Sequence, residues 1–437
     1  TVSTLLCLLT VNKKKSNKRK LQLISKGGKD DFFLRIGTNC DSVVKTQTIS
    51  MKRRMFMDFM FGIPSFVHFG EGASKKLGDI AASFGAKKAF VVYDKGVKAA
   101  GIVDGLIASL NTAGVATIEY DGVLPNPPDT QVEEAAALAR SANVDIIVAI
   151  GGGSSIDSAK AINILLSNPS PISLYEGLNM VKVPGKPLIA IPTTAGTASE
   201  VTSFSIVTDT VRTKKMIIVG QFVGATIAIA DPLLSVGMPP KITSSTGMDA
   251  LTHAIEAFVS KAASPVTDNI ALQAIELISK NIAKATKTGS DIEARTNMLL
   301  GSMLAGYAFN NAILGLVHSI AHPLSAHCGL PHGVANAIGL PYVMEYNALT
   351  SAAKLKQVAA AMGIDVTGMT DTAAAQAGAD LVKSLNKDLE IPTLKDCGVT
   401  KDKFDRLAED ALVEGSTFFN PRDPSKQDIL AILEKAY

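Results

Sequence analysis

Strand-like and helix-like segments alternate along the chain from residue 86 to about residue 231, and then the alternation stops. KKAFVVYD (87–94) and VATIEYDGV (115–123) are β-branched and aromatic runs with a helical stretch over 98–113 between them. The loop PNPPD (125–129) leads into an Ala-rich helix over 130–142, for which Thr130 is the candidate N-cap. VDIIVAI (144–150) is continuously apolar, as befits a strand covered on both faces, and GGGSSIDSAK opens the next helix. KPLIAIPTTAGTASE (186–200) reads as a strand with a Thr/Gly loop, 206–219 as a hairpin, and ATIAIAD (225–231) as a last strand. This order implies βαβ units and a parallel sheet. Composition changes at DPLLSVGMPPKITSSTG (231–247), beyond which helical periodicity covers 244–261, 265–285, 291–312, 314–322, 332–348, 351–363, 371–386 and the C-terminus. The chain is therefore expected to form an α/β domain with a parallel sheet over 51–233 and an all-α domain over 234–437.

Apolar residues make up 47% and charged residues 19%, enough for a sizeable core and against wholesale disorder. Trp is absent and aromatics are 5%, so that core must be aliphatic. No run of 18 or more residues is uniformly apolar, which argues against a transmembrane helix. The net charge of +3 conceals an asymmetry. Residues 1–50 hold ten Lys and Arg against three Asp and Glu, while the remainder is mildly acidic, with 33 basic and 37 acidic residues. A nucleic-acid surface, which needs a basic face on the folded domain, is not expected. Residues 1–50 run from an apolar segment into KKKSNKRK, the reverse of a secretory signal, and MKRRMFMDFMFGIP from Met51 reads like a natural start. They are expected to form no part of the fold. Four scattered cysteines (Cys7, Cys40, Cys328, Cys397) build neither a disulfide framework nor a metal knuckle and fit a reducing cytoplasm.

Two features carry chemistry. The first is AIGGGSSIDSAK (149–160), a buried strand, three glycines, and a helix start. Without Cβ atoms, backbone N–H groups can approach a pyrophosphate, and the helix adds its positive N-terminal end. Asp94 ends an earlier strand, where a carboxylate can accept hydrogen bonds from an adenosine ribose, or simply cap the following turn. PTTAGT (192–197) brings hydroxyls and bare backbone to another strand end, and together these favour a nucleotide cofactor. A 2′-phosphate beside Asp94 would meet like charge, so NAD is expected over NADP.

The second is a histidine cluster. The chain has six His, five of them between positions 253 and 332. Asp249 and His253 are spaced i, i+4, as are His318 and His322, which places each pair on one helical face. Pro323 is expected to interrupt the helix, and Gly329 and Pro331 to turn the chain before His332 starts another. An Asp with three His is a complete site for Fe2+ or Zn2+, although spacing alone does not settle which three. Cys328 reads as structural.

These residues make the chain recognisable. Over GEGA (70–73), PNPP (125–128), IGGGSSIDSAK (150–160), IPTTAGTASEVT (191–202), TGMDALTHAIEAFVS (246–260) and GLVHSIAHPLSAHCGLPHGVANAIGLPYVMEYN (315–347), residues 51–437 resemble the iron-containing (group III) alcohol dehydrogenases. The similarity is greatest to those acting on short alcohols, diols and lactaldehyde. The resemblance implies a dinucleotide-binding N-terminal domain, an all-helical metal domain, and a site in the cleft between them. It implies Asp249, His253, His318 and His332 as ligands of Fe2+, with Zn2+ as the alternative ion. His322 would be a non-ligand beside the nicotinamide and a proton relay, and His327 lies where the family varies. Gly151, Gly152, Gly153, Ser154 and Asp157 would meet the pyrophosphate. Thr193, Thr194, Thr197, Thr202 and Lys215 would contact other parts of NAD, with Asn126 close by. Phe204, Phe309, Leu314, His327 and Cys328 are candidate pocket residues for a small alcohol or aldehyde. A homodimer or larger homo-oligomer is expected, with no membrane partner. The competing readings are a glycerol-dehydrogenase-like zinc enzyme and a non-enzymatic nucleotide- or metal-binding protein.

Overall fold

The run IIVAIG is buried along its whole length, and this places it at the centre of a sheet covered on both faces. The computed structural model describes residues 20–25, 32–37, 49–50 and 59–437. Most of the segment 1–50 lies outside the described residues. Within it, β1 (Lys20–Ser25), β2 (Phe32–Gly37) and β3 (Ile49–Ser50) pair antiparallel in that order, in a unit separate from Met60–Tyr437.

In the second unit the strands are β4 (Phe66–Phe69), β5 (Lys88–Val92), β6 (Ala116–Tyr120), β7 (Ile146–Gly151), β8 (Gly177–Leu178), β9 (Leu188–Pro192), β10 (Phe204–Asp209), β11 (Lys214–Val219) and β12 (Ile227–Ala230). Six of them form an all-parallel sheet in the order β4-β12-β9-β7-β5-β6. Alternate residues serve opposite faces. Phe90, Val92, Ile147 and Ala149 join one apolar cluster, and Ala89, Val91, Ile146, Val148 and Ile150 join another. From β5 the chain moves outward to β6, whereas from β7 it moves the other way to β9. The C-terminal ends of β5 and β7 therefore flank the switch point at which ligands bind in such sheets. The hairpin is present as antiparallel β10 and β11, with β8 parallel to β11.

From Pro240 onward the described chain is helical, with long helices Pro240–Val259, Pro265–Lys287, Ile292–Ala312, Leu316–Cys328, His332–Ala361 and Asp371–Asp388 around one aliphatic core. No single helix among the described residues is long and apolar enough to cross a membrane. Three local expectations need correction. The Ala-rich helix starts at Asp129 with Pro128 as its N-cap, so Thr130 lies inside it. The stretch 98–113 is two helices, Lys95–Ala99 and Ile102–Thr112. Pro323 does not end its helix, which continues to Cys328. Pro323 lacks one N–H, but Leu316–Ser325 is buried throughout, and this packing outweighs one lost hydrogen bond.

Candidate metal and cofactor site

The helix Pro240–Val259 carries Asp249 and His253 one turn apart on its buried face. Leu316–Cys328 brings His318 and His322, and His332 is the first residue of the next helix. One ligating atom from each of Asp249, His253, His318 and His332 lies within 4.8 Å of all the others. The Asp249 Oδ1 is 3.8 Å from His253 Nε2, 3.9 Å from His318 Nε2 and 3.7 Å from His332 Nε2. Two donors bound to one ion at about 2.0–2.2 Å lie at most about 4.4 Å apart, and the three Asp249–histidine distances fall inside that span. Burial lowers the pKa of His253, takes His318 well below the ordinary imidazole value and brings His332 to about 4, so the rings are neutral, as ligation requires.

The donor set is also short of positive charge. The amide nitrogen of Asn336 lies 2.6 Å from Asp249 Oδ1, 3.0 Å from His318 Nε2 and 3.2 Å from His332 Nε2, while its own Oδ1 is buried without a partner. One amide with two protons cannot satisfy three converging acceptors. The residues present fit a divalent cation.

Behind this set, His318 Nδ1 lies 2.5 Å from Glu256 Oε2 in hydrogen-bond contact, and Val317 N–H donates to Glu256 Oε1 at 2.6 Å. Burial raises the Glu256 pKa to about 8. Sequence reasoning missed both Glu256 and Asn336. The available signal was spacing: Glu256 is i+7 from Asp249, and Asn336 is i+4 from His332. His322 stays out of the set. Its ring is 5.5 Å from that of His332, and its Nδ1 is 3.1 Å from Glu414 Oε2.

The histidines border a cavity of about 440 Å3 that also meets Asn126, Gly153, Ser154, Asp157, Thr197, Thr202 and Lys215. Phe204, Phe309 and Leu314 line it as expected, joined by Ile313 and Phe419. His327 and Cys328 do not. His327 turns away to Asp410, with Nε2 2.7 Å from Oδ2. Because the helix runs on past Pro323, nine residues from His318 make about two and a half turns and reach the opposite face.

Gly151, Gly152, Thr193, Thr194 and Asp94 sit at the strand ends rather than on the cavity wall. Gly151 has φ +146°, and a Cβ there would come within 2.5 Å of Ser155 Oγ. A Cβ on Gly153 would be 2.7 Å from Thr197 Cγ2, so the Thr197 side chain rests on the bare backbone of Gly153. Asp94 caps the helix Lys95–Ala99: its Oδ1 accepts from Gly96 and Val97 N–H at 2.8 and 3.1 Å. Its Oδ2 accepts from Ser155 Oγ at 3.2 Å, beside the glycine loop. Lys215 Nζ donates to Asn126 Oδ1 at 2.7 Å and Thr208 Oγ1 at 3.1 Å, and burial lowers its pKa to about 8.

Lys160 is another residue the sequence did not single out. Its buried ammonium donates to Ser199 Oγ at 3.0 Å, Thr202 O at 3.0 Å and Phe204 O at 2.6 Å. Ser199 Oγ in turn donates to Asp157 Oδ1 at 2.5 Å.

Residues 64–232 match the family described as iron-containing alcohol dehydrogenase, and residues 243–437 match the Fe-containing alcohol dehydrogenase family, C-terminal. The chain is 43% identical to a 1,3-propanediol dehydrogenase of Klebsiella pneumoniae over 390 residues, covering 89% of this chain and 100% of that one. It is 40% identical to an NAD-dependent methanol dehydrogenase of Bacillus methanolicus over 377 residues, covering 86% and 99%. A solved 1,3-propanediol oxidoreductase superposes with a TM-score of 0.85 at 42% identity, covering 87% of this chain and 100% of that chain.

Proposed function

The chain belongs to the iron-containing alcohol dehydrogenase family and is an NAD-linked oxidoreductase of short-chain alcohols and aldehydes; from that premise we propose that Asp249, His253, His318 and His332 hold one divalent ion, iron(II) or, as the alternative, zinc. The observation that carries the reading is the convergence of these four ligating atoms on the wall of the cavity that also receives Gly153 and Ser154. In this reading residues 51–233 carry NAD, residues 234–437 carry the metal, and 1–50 stand outside the fold.

A bound divalent metal supplies Lewis acidity toward an alcohol hydroxyl or an aldehyde carbonyl, and a bound nicotinamide accepts or donates the hydride. The protein does the rest. Glu256 accepts the Nδ1 proton of His318 and so leaves Nε2 free as a donor. The N-terminus of the helix Gly153–Ser167, with Gly151, Gly152, Gly153 and Ser154, presents N–H groups to the pyrophosphate. Asp157, Thr193, Thr194, Thr197, Thr202, Lys215 and Asn126 frame the remainder of the cofactor, and Asp94 receives the adenosine ribose. Phe204, Phe309, Ile313, Leu314 and Phe419 enclose the alkyl part of a small substrate and exclude water from it. His322, 7% exposed and backed by Glu414, moves the hydroxyl proton between the cavity and solvent. Cys328 and Cys397 are free thiols, which supports a cytoplasmic setting; a homodimer or larger homo-oligomer belongs to the same reading.

The test is direct. Protein loaded with Fe2+ should oxidise NADH in the presence of propanal, and stripping the metal with a chelator should abolish the reaction until metal is restored. Full turnover by protein shown to be metal-free would overturn the reading.

A further inference from the structure

Ile313 occupies a backbone conformation that its side chain disfavours. It caps the helix Ile292–Ala312 with φ 61° and ψ −177°. That region is used almost only by glycine, and a β-branched residue there is an outlier. The surroundings hold it in place from both sides. The Ala312 carbonyl accepts from the buried Ser260 Oγ at 2.5 Å. Two residues on, Gly315 is wedged so tightly that a Cβ would lie 3.0 Å from both Glu256 Oε1 and Asn420 Oδ1. Leu316 N–H donates to Asn420 Oδ1 at 3.2 Å, and Val317 N–H to Glu256 Oε1 at 2.6 Å. The chain must cross from one anchored point to the other in three residues, immediately before His318.

The Ile313 side chain is half-buried and lines the cavity. Its N–H donates to Phe309 O at 2.8 Å, and the Phe309 ring packs 4.5 Å from that of His253. An aliphatic group held at a strained position, one turn from the aromatic ring against a ligand histidine, offers no hydrogen bond or charge. What it offers is shape. Resting on the hydride-transfer reading above, we infer that Ile313 is a specificity-determining residue: it narrows the substrate end of the cavity and sets the upper limit on alkyl-chain length.

The experiment uses the full chain loaded with Fe2+ and compares wild type with Ile313→Gly, Ile313→Ala and the milder Ile313→Val. The kcat/KM for hexan-1-ol relative to propan-1-ol should rise about tenfold or more in the Gly and Ala variants, and by less in Val. Thermal melting gives the second readout. Gly ordinarily melts below Ala, but relief of strain should place Ile313→Gly above Ile313→Ala by about 2 °C or more. An unmoved selectivity ratio in all three variants overturns the assignment, and a Gly variant melting below Ala overturns the strain. Wild type inert toward every alcohol overturns the hydride-transfer reading and this inference with it; an active wild type with an unmoved ratio overturns this inference alone.

Discussion

His318 Nδ1 and Glu256 Oε2 stand 2.5 Å apart, both buried, with the opposite imidazole nitrogen turned toward Asp249. In the proposed site the pair leaves Nε2 as the nitrogen of His318 that would face the metal. Glu256→Gln keeps the shape but replaces the carboxyl group that holds Nδ1 with an amide. It should weaken metal affinity by about 10–100-fold, the usual cost of losing a carboxylate behind a ligand histidine. Metal content after dialysis against graded chelator measures this. An affinity equal to wild type would show that Glu256 only fills space.

The four proposed ligands should not be interchangeable with their neighbours. His253→Ala and His332→Ala should each lose most of the bound metal and the activity, with the far-ultraviolet circular dichroism unchanged. Either variant keeps Asp249 and two histidines, one ligand fewer than wild type, so its ion should leave to a chelator that wild type withstands. Full metal retention in either variant contradicts the assignment.

His322 borders the same cavity but leans on Glu414. His322→Ala should therefore keep its metal while kcat falls by about 10²–10⁴-fold, the range for losing a positioned acid or base. Loss of metal as complete as in His318→Ala would make His322 a ligand instead.

Asp94 does two jobs in the proposal, as cap of Lys95–Ala99 and as reader of the ribose. Glycine is a tolerable N-cap, so Asp94→Gly should cost only a few tenths of a kcal/mol in stability. Removing the charge should raise kcat/KM for NADP by about ten- to a thousandfold, from an interaction of about 1–4 kcal/mol. NAD use should weaken but persist. An unchanged NADP rate leaves Asp94 with the cap alone.

Much of this arrangement was legible in the sequence because it rests on local periodicity. VDIIVAI reads as a strand because both its faces are covered, and Asp249 with His253 reads as a pair because helical spacing sets them on one face. Glu256 and Asn336 carry the same spacing, yet a Glu or Asn on a helix usually faces water, and only the packing of three helices shows otherwise. Pro323 misled for a related reason. Its missing N–H is a local cost, while the burial that outweighs it is tertiary. His327 and Cys328, candidates for the pocket in sequence, do not line it, because the helix continues past Pro323 and carries His327 round to Asp410. In sequence Asp94 suits a cap or a ribose acceptor alike, and of the two only the cap has its partners within the chain itself.

Lys160 is part of the helix Gly153–Ser167, and its ammonium donates to the carbonyls of Thr202 and Phe204. Its side chain is buried, so the ammonium depends on that stretch of backbone for its acceptors. The glycine loop and the 193–204 segment are thus not separable modules. Grafting 193–204 from a distant enzyme to retune cofactor or substrate choice would strand a buried cation if the incoming carbonyls fell out of place, a penalty of about 3–5 kcal/mol. Recombination libraries should carry position 160 and the 199–204 stretch as one block, with crossover points outside both.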